Sequence, residues 1–299
     1  MTEIIDLFAG IGGFHKAFAN LGAKTVFASE KDKNARKTYE ANFSKTDPEL
    51  FKNGNFAGDI TLIDPKTIPD FNILTGGFPC QPFSNAGKRG GFQDTRGTLF
   101  FNIANILKEK QPEAFFLENV RGLLSHDDGK TFKVIENAVH QLGYSFYYRV
   151  VKASDHGVPQ NRPRLFMVGF REDIELAAKA KGVAFDFPEP VPLVLTLSKL
   201  MGGKVTTVAG AEKTIGFTLR VGGRGSGVFD RRNWDSYLVD GIARRITIDE
   251  AKKLQGFPAS YMFPVSETQA FKQLGNSVAV PAIQATAKKL LAVLEAANS

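Results

Sequence analysis

The sequence predicts an α/β fold in which a doubly wound, mostly parallel, Rossmann-like sheet is joined to a second, smaller β-rich domain. The larger part is indicated by short buried strands that alternate with helical segments from residue 4 to residue 170, and by a glycine-rich turn after the first strand. The smaller part is indicated by residues 183–244, which are rich in Pro, Gly and β-branched residues and show no helical period. Strands that alternate with helices through short turns form parallel sheets. Such sheets bind their ligands at the carboxyl ends of the strands.

The strands and helices of the larger part are expected to alternate along most of its length. Short apolar runs predict strands at residues 4–8, 24–29, 71–75, 114–117, 145–152 and 165–170. Helical periodicity predicts helices at residues 14–21, 32–42, 99–110 and 131–142. Asp32 is a suitable N-cap for the second of these helices, because its carboxylate can accept hydrogen bonds from the unpaired N–H groups of the first turn.

The last part of the chain returns to helical patterns. Thr247 opens the tetrapeptide Thr-Ile-Asp-Glu, which predicts a capping box at the start of a short helix that reaches Leu254. A long amphipathic helix should begin near Pro281, because the first turn of a helix does not need the N–H that proline lacks. Both helices follow the β-rich run.

The composition restricts the functional classes. The 299 residues include one cysteine, which excludes an internal disulfide and a thiolate-based zinc site and is typical of a reducing compartment. The amino-terminal residues lack a signal-peptide pattern, and no apolar stretch is expected to be long enough to cross a bilayer, so a cytoplasmic location is predicted. The formal net charge of +7 favours a polyanionic partner such as nucleic acid, although a basic housekeeping enzyme could show the same balance.

A glycine-rich turn and two acidic residues predict a nucleoside site. Gly10-Ile11-Gly12-Gly13 follows the first strand, and Glu30 ends the second strand, where a carboxylate can bind ribose hydroxyls. The turn lacks the spaced glycine triplet that cradles a pyrophosphate, so it suits S-adenosylmethionine, which has ribose and adenine but no phosphate. Asp59 adds an acceptor for an adenine amino group. On the alternative interpretation, the glycines form only a tight turn and Asp59 is a solvated aspartate.

The single cysteine lies in an unusual position. Cys80 stands between Pro79 and a Gln-Pro pair after a predicted strand end, and the two prolines stiffen the backbone around it. Lys88 and Arg89 could favour its thiolate, which is the nucleophilic form of cysteine. A free cysteine is more often a small buried hydrophobic residue, so an inert Cys80 is the alternative.

Glu118 and Asn119 are the expected partners of Cys80. They follow the predicted strand at residues 114–117 and so belong to the same edge of the sheet, where an acid beside an amide can read the edge of a nucleobase. A Cys–His hydrolase would need a histidine base, and only His156 of the four histidines lies in a motif-like context. Arginines follow His156 closely, and arginine suits the recognition of phosphate or carbonyl groups but cannot act as a base.

Together these residues resemble the bacterial DNA (cytosine-5) methyltransferases of restriction–modification systems. The matching motifs occur in the order of that family and cover nearly the whole chain outside residues 171–244. They are DLFAGIGGF at 6–14, Glu30, GDI at 58–60, GGFPCQPFS at 76–84, RGTLFF at 96–101, ENV at 118–120, QNRPR at 160–164, LQGFP at 254–258 and QLGNSVAVP at 273–281. No catalytic motif of the family is missing.

The resemblance implies a covalent mechanism. The Cys80 thiolate would add to C6 of cytosine and make C5 nucleophilic, while Glu118 would hold and help to protonate N3. C5 would take the methyl group of S-adenosylmethionine and lose its proton, and Cys80 would be eliminated. Because C6 is inaccessible in a stacked duplex, the target base must be flipped out. The implied catalytic residues are Cys80, Glu118, Asn119, Gln160, Arg162 and Arg164, the last three binding the base carbonyl, a phosphate or the loop.

The resemblance also implies the residues that bind the cofactor and the DNA. The cofactor residues would be Phe8, Gly10, Ile11, Gly12, Glu30, Asp59, Ile60, Pro79, Leu99 and Asn276. The DNA-binding residues would be Ser84, Lys88, Arg89, Arg96, Thr218, Arg220, Gly222, Gly223, Arg224, Arg231 and Arg232. Arginine is the usual reader of guanine in the major groove, so a G·C-rich target is expected.

The domains and partners follow from the same resemblance. Because Asn276 would return to the cofactor, residues 1–171 and 268–299 would form the catalytic and cofactor-binding domain, and residues 172–267 the target-recognition domain. The enzyme would be a monomer that binds double-stranded DNA, with a cognate restriction endonuclease acting on the same site without direct contact. A tRNA cytosine-5 methyltransferase with the same core is the alternative. A nicotinamide oxidoreductase or a non-catalytic DNA-binding module would leave Cys80 and Glu118 unexplained.

Overall fold

The larger sheet of this computed structural model has seven strands. The structure describes residues 1–79, 99–222 and 224–299. In chain order the strands are β1 (Glu3–Leu7), β2 (Lys24–Ser29), β3 (Phe56–Ala57), β4 (Ile73–Gly77), β5 (Ala114–Val120), β6 (Tyr147–Lys152) and β7 (Pro163–Phe170). They lie side by side in the order β3-β2-β1-β4-β5-β7-β6. Within this described sheet, neighbouring strands are parallel except at β7, which runs antiparallel to both β5 and β6.

The strand order reverses between β1 and β4. From β1 the chain moves outward through β2 and β3, and it then returns to place β4 on the other side of β1. At such a switch point the connections leave the sheet in opposite directions and open a crevice beyond the carboxyl ends of the strands. The border between β1 and β4 is therefore the place where this sheet is built to bind a ligand.

Helices cover both faces of the larger sheet. The described residues form α1 (Gly13–Ala19), α2 (Lys33–Phe43), α3 (Leu99–Lys110), α4 (Lys130–Gln141), α5 (Glu172–Ala180), α6 (Leu197–Met201), α7 (Ile248–Gln255), α8 (Glu267–Asn276) and α9 (Val280–Asn298). α9 packs against α1 and α5. α3 and α4 pack against each other and share a core with the other face of the sheet.

Alternate residues of the central strands supply a core on each face of the sheet. On β1, Ile4 belongs to the core shared with α1 and α9, while Ile5 belongs to the core shared with α3 and α4. On β5, Phe116 and Phe115 divide in the same way. Successive side chains of a strand point to opposite faces, so a strand that is apolar at consecutive positions must be covered on both. The expected doubly wound sheet is confirmed.

The smaller sheet has three antiparallel strands. These are β8 (Val205–Thr206), β9 (Ser236–Val239) and β10 (Ile242–Arg245), in the order β10-β9-β8. Tyr237 and Val239 of β9 lie in the same apolar core as residues of α7, α8 and α9, together with the buried Trp234. The second, smaller sheet is therefore confirmed, and it shares its core with the carboxyl-terminal helices.

The predicted caps form as the sequence indicates. The Asp32 carboxylate accepts hydrogen bonds from the backbone N–H groups of Asn34, at 2.8 Å, and Ala35, at 3.1 Å. Thr247 and Glu250 form the reciprocal capping box at the start of α7. Pro281 lies in the first turn of α9.

Three helices were not anticipated. The sequence predicts no helix within residues 183–244, but α6 forms there, because the Thr196 side chain caps it and Gly202 ends it in the left-handed conformation (φ 71°). Five residues are too few to show a helical period, so this prediction was wrong. α5 and α8 were also not predicted, and α8 begins at a Ser266 cap that the apolar pattern does not reveal.

The segment Glu267–Asn298 contains an 18-residue stretch with a mean hydropathy of 1.3, which is long and apolar enough to cross a membrane by length and composition alone. The expectation that no stretch reaches that length was therefore wrong. In the structure the segment is two helices, α8 and α9, and 61% of its most apolar window is buried inside the protein. This burial is that of a core helix.

Candidate active site

A cavity of about 570 Å³ opens beyond the carboxyl ends of β1, β2, β4 and β5. It lies at the switch point of the sheet, and its volume falls within the roughly 300–1,000 Å³ of small-molecule sites. Nine of the ten predicted cofactor residues line it: Phe8, Gly10, Ile11, Glu30, Asp59, Ile60, Pro79, Leu99 and Asn276. Tertiary folding thus brings together residues from almost the whole length of the chain.

Gly12 is the predicted cofactor residue that does not line the cavity. It has a left-handed backbone (φ 78°), and a Cβ atom there would lie 2.4 Å from Cε2 of Phe43. Only glycine fits, because the turn packs directly against the Phe43 ring of α2. Phe8 also has a left-handed backbone (φ 53°), a strained conformation for a bulky residue at the start of the same turn.

Glu30 fixes the turn from the end of β2. Its Oε2 accepts a hydrogen bond from the Gly10 N–H at 2.7 Å, and its Oε1 accepts one from the Asp32 N–H at 2.6 Å. Burial raises the pKa of Glu30, and the backbone donors partly offset this shift. Each carboxylate oxygen keeps a second acceptor position, so Glu30 can hold the turn and still accept hydrogen bonds from a ligand.

Asp59 presents an ionised acceptor at the far wall of the cavity. Its Oδ2 lies 2.6 Å from Nζ of Lys31, and its Oδ1 accepts hydrogen bonds from the Thr61 N–H at 3.1 Å and the Thr61 hydroxyl at 2.8 Å. The hydrogen bond from Lys31 is the main cause of the lowered pKa of Asp59. Lys272 is the second lysine on the cavity wall, and its Nζ lies 3.4 Å from Oδ2 of Asp32.

These groups fit a nucleoside better than a phosphate. Among the described lining residues, both lysines are already paired with carboxylates, and Glu30 is a third acid on the same wall. Carboxylates accept hydrogen bonds from the hydroxyl and amino groups of a nucleoside. The chemistry of this part of the cavity therefore fits S-adenosylmethionine.

An acid and an arginine meet at the other end of the cavity. Glu118, at the end of β5, is buried, and its Oε1 lies 2.9 Å from Nε of Arg164, at the start of β7. Burial raises the pKa of Glu118, and the positive charges of Arg164 and Arg162 reduce this increase. Burial thus favours the protonated carboxyl group, and the neighbouring cation favours the carboxylate.

Asn119 connects this acid to the chain that leads to Cys80. Glu118 pairs with Gly77 in the parallel β4–β5 ladder. The Asn119 Nδ2 group donates a hydrogen bond to the carbonyl of Phe78 at 2.9 Å. Glu118 and Asn119 therefore lie at the same sheet edge as the residues just before Cys80, as expected from the sequence.

Gln160 and Arg162 have buried structural contacts. Gln160 donates a hydrogen bond to the Leu254 carbonyl at 2.7 Å and accepts one from the Leu219 N–H at 3.1 Å. Arg162 donates hydrogen bonds to the carbonyls of Leu219, at 3.2 Å, and Gly275, at 2.9 Å. Burial and the charge of Arg164 lower the pKa of Arg162. Arg162 and Arg164 line the cavity, whereas Gln160 does not. The contacts of Gln160 therefore fit a role in binding the loop and not a role in binding the base or a phosphate.

The four predicted DNA-binding arginines that the structure describes fall into two classes. In the first class, the guanidinium group is paired with a carboxylate. Arg224 lies over the Phe271 ring at 3.7 Å and pairs with Glu267 at 3.0 Å and with the buried Asp235 at 3.4 Å. Arg232 pairs with Asp230 through two hydrogen bonds of 2.8 and 3.1 Å.

The other class consists of Arg220 and Arg231. Both side chains are exposed, and neither has an ion-pair partner within the described part of the chain. The Thr218 hydroxyl, two residues before Arg220, donates a hydrogen bond to the Asn161 carbonyl. The Gly222 carbonyl accepts one from Nε1 of Trp234 at 2.9 Å. The backbone that carries Arg220 is therefore anchored on both sides, while its side chain is exposed.

Six predicted site residues lie outside the described residues. They are Cys80, Ser84, Lys88, Arg89, Arg96 and Gly223. Their roles stay predictions from the sequence.

Several lining residues escaped the sequence analysis. Lys31 and Asp32 directly follow Glu30, and Gln273, Gly275 and Ser277 belong to the motif that already contained Asn276, so proximity could have identified them. Lys272 reaches the cavity from α8, a helix that was itself not predicted.

Comparison with known proteins gives one family. The model of C-5 cytosine-specific DNA methylases matches residues 2–220 and 214–292. The Type II methyltransferase M.SsoII of Shigella sonnei is 44% identical over 98% of this chain and 81% of its own length. M.HpaII of Haemophilus parainfluenzae is 44% identical over 96% and 88%, and M.HhaI of Haemophilus parahaemolyticus is 39% identical over 94% and 92%, respectively.

Solved structures share the fold at lower identity. A putative DNA modification methyltransferase encoded within a prophage of E. coli has a TM-score of 0.72 at 22% identity and covers 99% of this chain and 100% of its own. A DNMT2 mutant of Spodoptera frugiperda has a TM-score of 0.71 at 20% identity, with the same coverage of both chains. At this level of sequence identity, the similarity shows that the fold is shared.

Proposed function

Because the chain belongs to the C-5 cytosine-specific DNA methylase family and is a DNA (cytosine-5)-methyltransferase of the restriction–modification type, we propose how it carries out that reaction. The proposed substrate is a cytosine flipped out of a specific short sequence in double-stranded DNA. The proposed methyl donor is S-adenosylmethionine, and the proposed nucleophile is Cys80. The observation that carries this proposal is the Glu118–Arg164 pair in the same cavity as Glu30 and Asp59.

The cavity residues would bind the cofactor by their ordinary hydrogen-bonding chemistry. Glu30 would accept hydrogen bonds from the ribose hydroxyls, and Asp59 would accept one from the adenine amino group. Phe8, Ile60 and Leu99 offer apolar surface for the adenine ring. S-adenosylmethionine, when bound, supplies an electrophilic methyl group.

The base would be activated from both sides. The Cys80 thiolate forms a bond to C6 as the pyrimidine N3 gains a proton from Glu118, so C5 becomes an enamine carbon. C5 would then take the methyl carbon and release S-adenosylhomocysteine. Water would remove the C5 proton as the C6–sulfur bond breaks to regenerate the thiolate, and N3 would return its proton to Glu118. The raised pKa of Glu118 supports its role as the proton donor, and Arg164 stabilises the carboxylate once the proton has moved.

The residues that would bind DNA lie around the smaller sheet. We assign residues 172–267 to target recognition. Arg220 and Arg231, which are exposed and have no ion pair with any described residue, would contact DNA. The boundaries of this unit stay predictions, and the packing of α5 against α9 favours a division after α5. Thr218, whose hydroxyl is tied to the loop that carries Asn161, would support the flipped site. The proposal also includes a monomeric state, a cytoplasmic location, and a restriction endonuclease that acts on the same site without direct contact.

The competing substrate is tRNA. The family model and the relatives near 40% identity are DNA methyltransferases by name, which supports duplex DNA. Transfer of tritium from S-[methyl-³H]adenosylmethionine tests this directly, with duplex DNA and tRNA as parallel substrates. We expect incorporation into duplex DNA only. Incorporation into tRNA would overturn the choice of substrate, and incorporation into neither would overturn the proposed reaction.

A further inference from the structure

The turn at Gly10–Gly12 is held by two side chains, one on each side. Glu30 accepts a hydrogen bond from the Gly10 N–H at 2.7 Å, as described above. The hydroxyl of Tyr261 donates a hydrogen bond to the carbonyl of Ile11. One side chain thus satisfies a donor of the turn and the other satisfies an acceptor.

Tyr261 reaches the turn from a distant part of the chain. It lies between α7 and α8, 250 residues after Ile11, and it is 5% exposed. Its ring packs against Phe257, with ring centroids 4.5 Å apart, and against Phe263 at 5.8 Å. Burial raises the pKa of Tyr261 well above its usual value, so the hydroxyl remains a donor across the physiological pH range.

The Ile11 carbonyl needs this donor. Ile11 is buried, lines the cavity and stands between two glycines in the left-handed conformation. A buried carbonyl without a hydrogen bond is unfavourable, because it has lost water and gained no protein partner. The neighbouring glycines allow the backbone angles to change easily. Without the hydroxyl of Tyr261, the turn would therefore relax towards conformations in which the carbonyl finds another partner.

We propose that Tyr261 is a positioning residue for the cofactor cavity. It does not line the cavity, and it acts through Ile11 by holding the turn in the conformation that contacts the cofactor. This role rests on the proposed use of S-adenosylmethionine. It also links the chain segment that follows the smaller sheet to the cofactor site.

Tyr39 provides a matched control. It is a second buried tyrosine in the same aromatic cluster. The ring centroid of Phe43 lies 4.8 Å from that of Tyr39 and 6.3 Å from that of Tyr261. Its hydroxyl forms a hydrogen bond with Nδ1 of His15 at 2.8 Å and not with the turn. Tyr39→Phe therefore removes the same chemical group from the same core without releasing the Ile11 carbonyl.

The test is calorimetric binding of S-adenosylhomocysteine to the full-length wild type, Tyr261→Phe and Tyr39→Phe proteins. We expect the Kd of Tyr261→Phe to rise about tenfold, as for an unsatisfied buried carbonyl, and that of Tyr39→Phe to stay within about twofold of wild type. Melting temperatures should fall in both variants, and duplex DNA binding without cofactor should be unchanged in Tyr261→Phe.

Two results would overturn the inference alone: an unchanged Kd in Tyr261→Phe, or an equal loss of affinity in Tyr39→Phe. A wild-type protein that does not bind S-adenosylhomocysteine would instead overturn the proposed cofactor, and the inference with it. The two failures are thus distinguishable from one set of titrations.

Discussion

The Nε atom of Arg164 lies 2.9 Å from Oε1 of Glu118, across the antiparallel border between β7 and β5. Because β7 runs against its neighbours, its first residues reach the edge where β5 ends. A parallel β7 would have carried Arg164 to the opposite edge of the sheet. The reversal of one strand therefore creates the charged pair on which the proposed protonation of cytosine depends.

Replacing Glu118 by Gln should reduce methyl transfer by a factor on the order of 100 or more, because the amide keeps the shape of the side chain but cannot donate a proton to N3. Affinity for duplex DNA should change much less. Single-turnover methyl transfer and a DNA-binding titration measure the two effects separately. Turnover within about twofold of wild type would exclude a proton-donating role for this residue.

The rate should fall as the pH rises through the raised pKa of Glu118, because the donor is then deprotonated. Arg164 lowers that pKa by its charge, so Arg164→Gln should raise it and move the alkaline fall to higher pH, while also slowing the reaction. The pH profile of single-turnover transfer measures both. An alkaline fall at the same pH in both proteins would contradict the assignment of the titrating group to Glu118.

Duplex DNA that carries 5-fluorocytosine at the target should trap the enzyme covalently. C5 of this base bears fluorine in place of the proton that must leave, so elimination of Cys80 is blocked. Denaturing gel electrophoresis should show the adduct with wild type and not with Cys80→Ser. The same adduct in the serine variant would remove Cys80 from the nucleophilic role.

Arg220→Ala and Arg231→Ala should weaken DNA recognition, since these two exposed side chains have no ion pair within the described residues. Loss of a guanine contact costs about 1–3 kcal/mol and relaxes one position of the recognised sequence, whereas loss of a phosphate contact weakens all sequences alike. Bisulfite sequencing of a methylated plasmid library distinguishes the two outcomes.

Arg224→Ala and Arg232→Ala are the controls for that experiment. Arg224→Ala should lower the melting temperature, because it removes a partner of the buried Asp235 and the contact with Phe271, without changing the recognised sequence. Arg232→Ala should change neither the melting temperature nor the recognised sequence, since the ion pair of Arg232 with Asp230 is exposed to solvent. If all four variants recognise the wild-type sequence, recognition lies elsewhere, and residues 196–215 become the first candidates.

Many of the strands and helices could be predicted from the sequence because the patterns that indicate them are local. The N-cap at Asp32 and the capping box at Thr247 each involve residues within a few positions of each other. Consecutive apolar residues such as Ile4 and Ile5 indicate a strand covered on both faces. α6 escaped prediction because a helix of five residues has too few positions to display a period.

The sequence by itself determined which chemical groups stand at the strand ends: the glycine turn, Glu30, Asp59 and Glu118. Only the tertiary structure decided which of them meet. Three contacts join residues far apart in the chain: the Glu118–Arg164 pair made by the reversal of β7, the hydrogen bond from Tyr261 to the Ile11 carbonyl, and the ion pair between Arg224 and Glu267. Periodicity and capping act over a few residues, whereas these contacts arise from burying several elements in one core, so no local pattern encodes them.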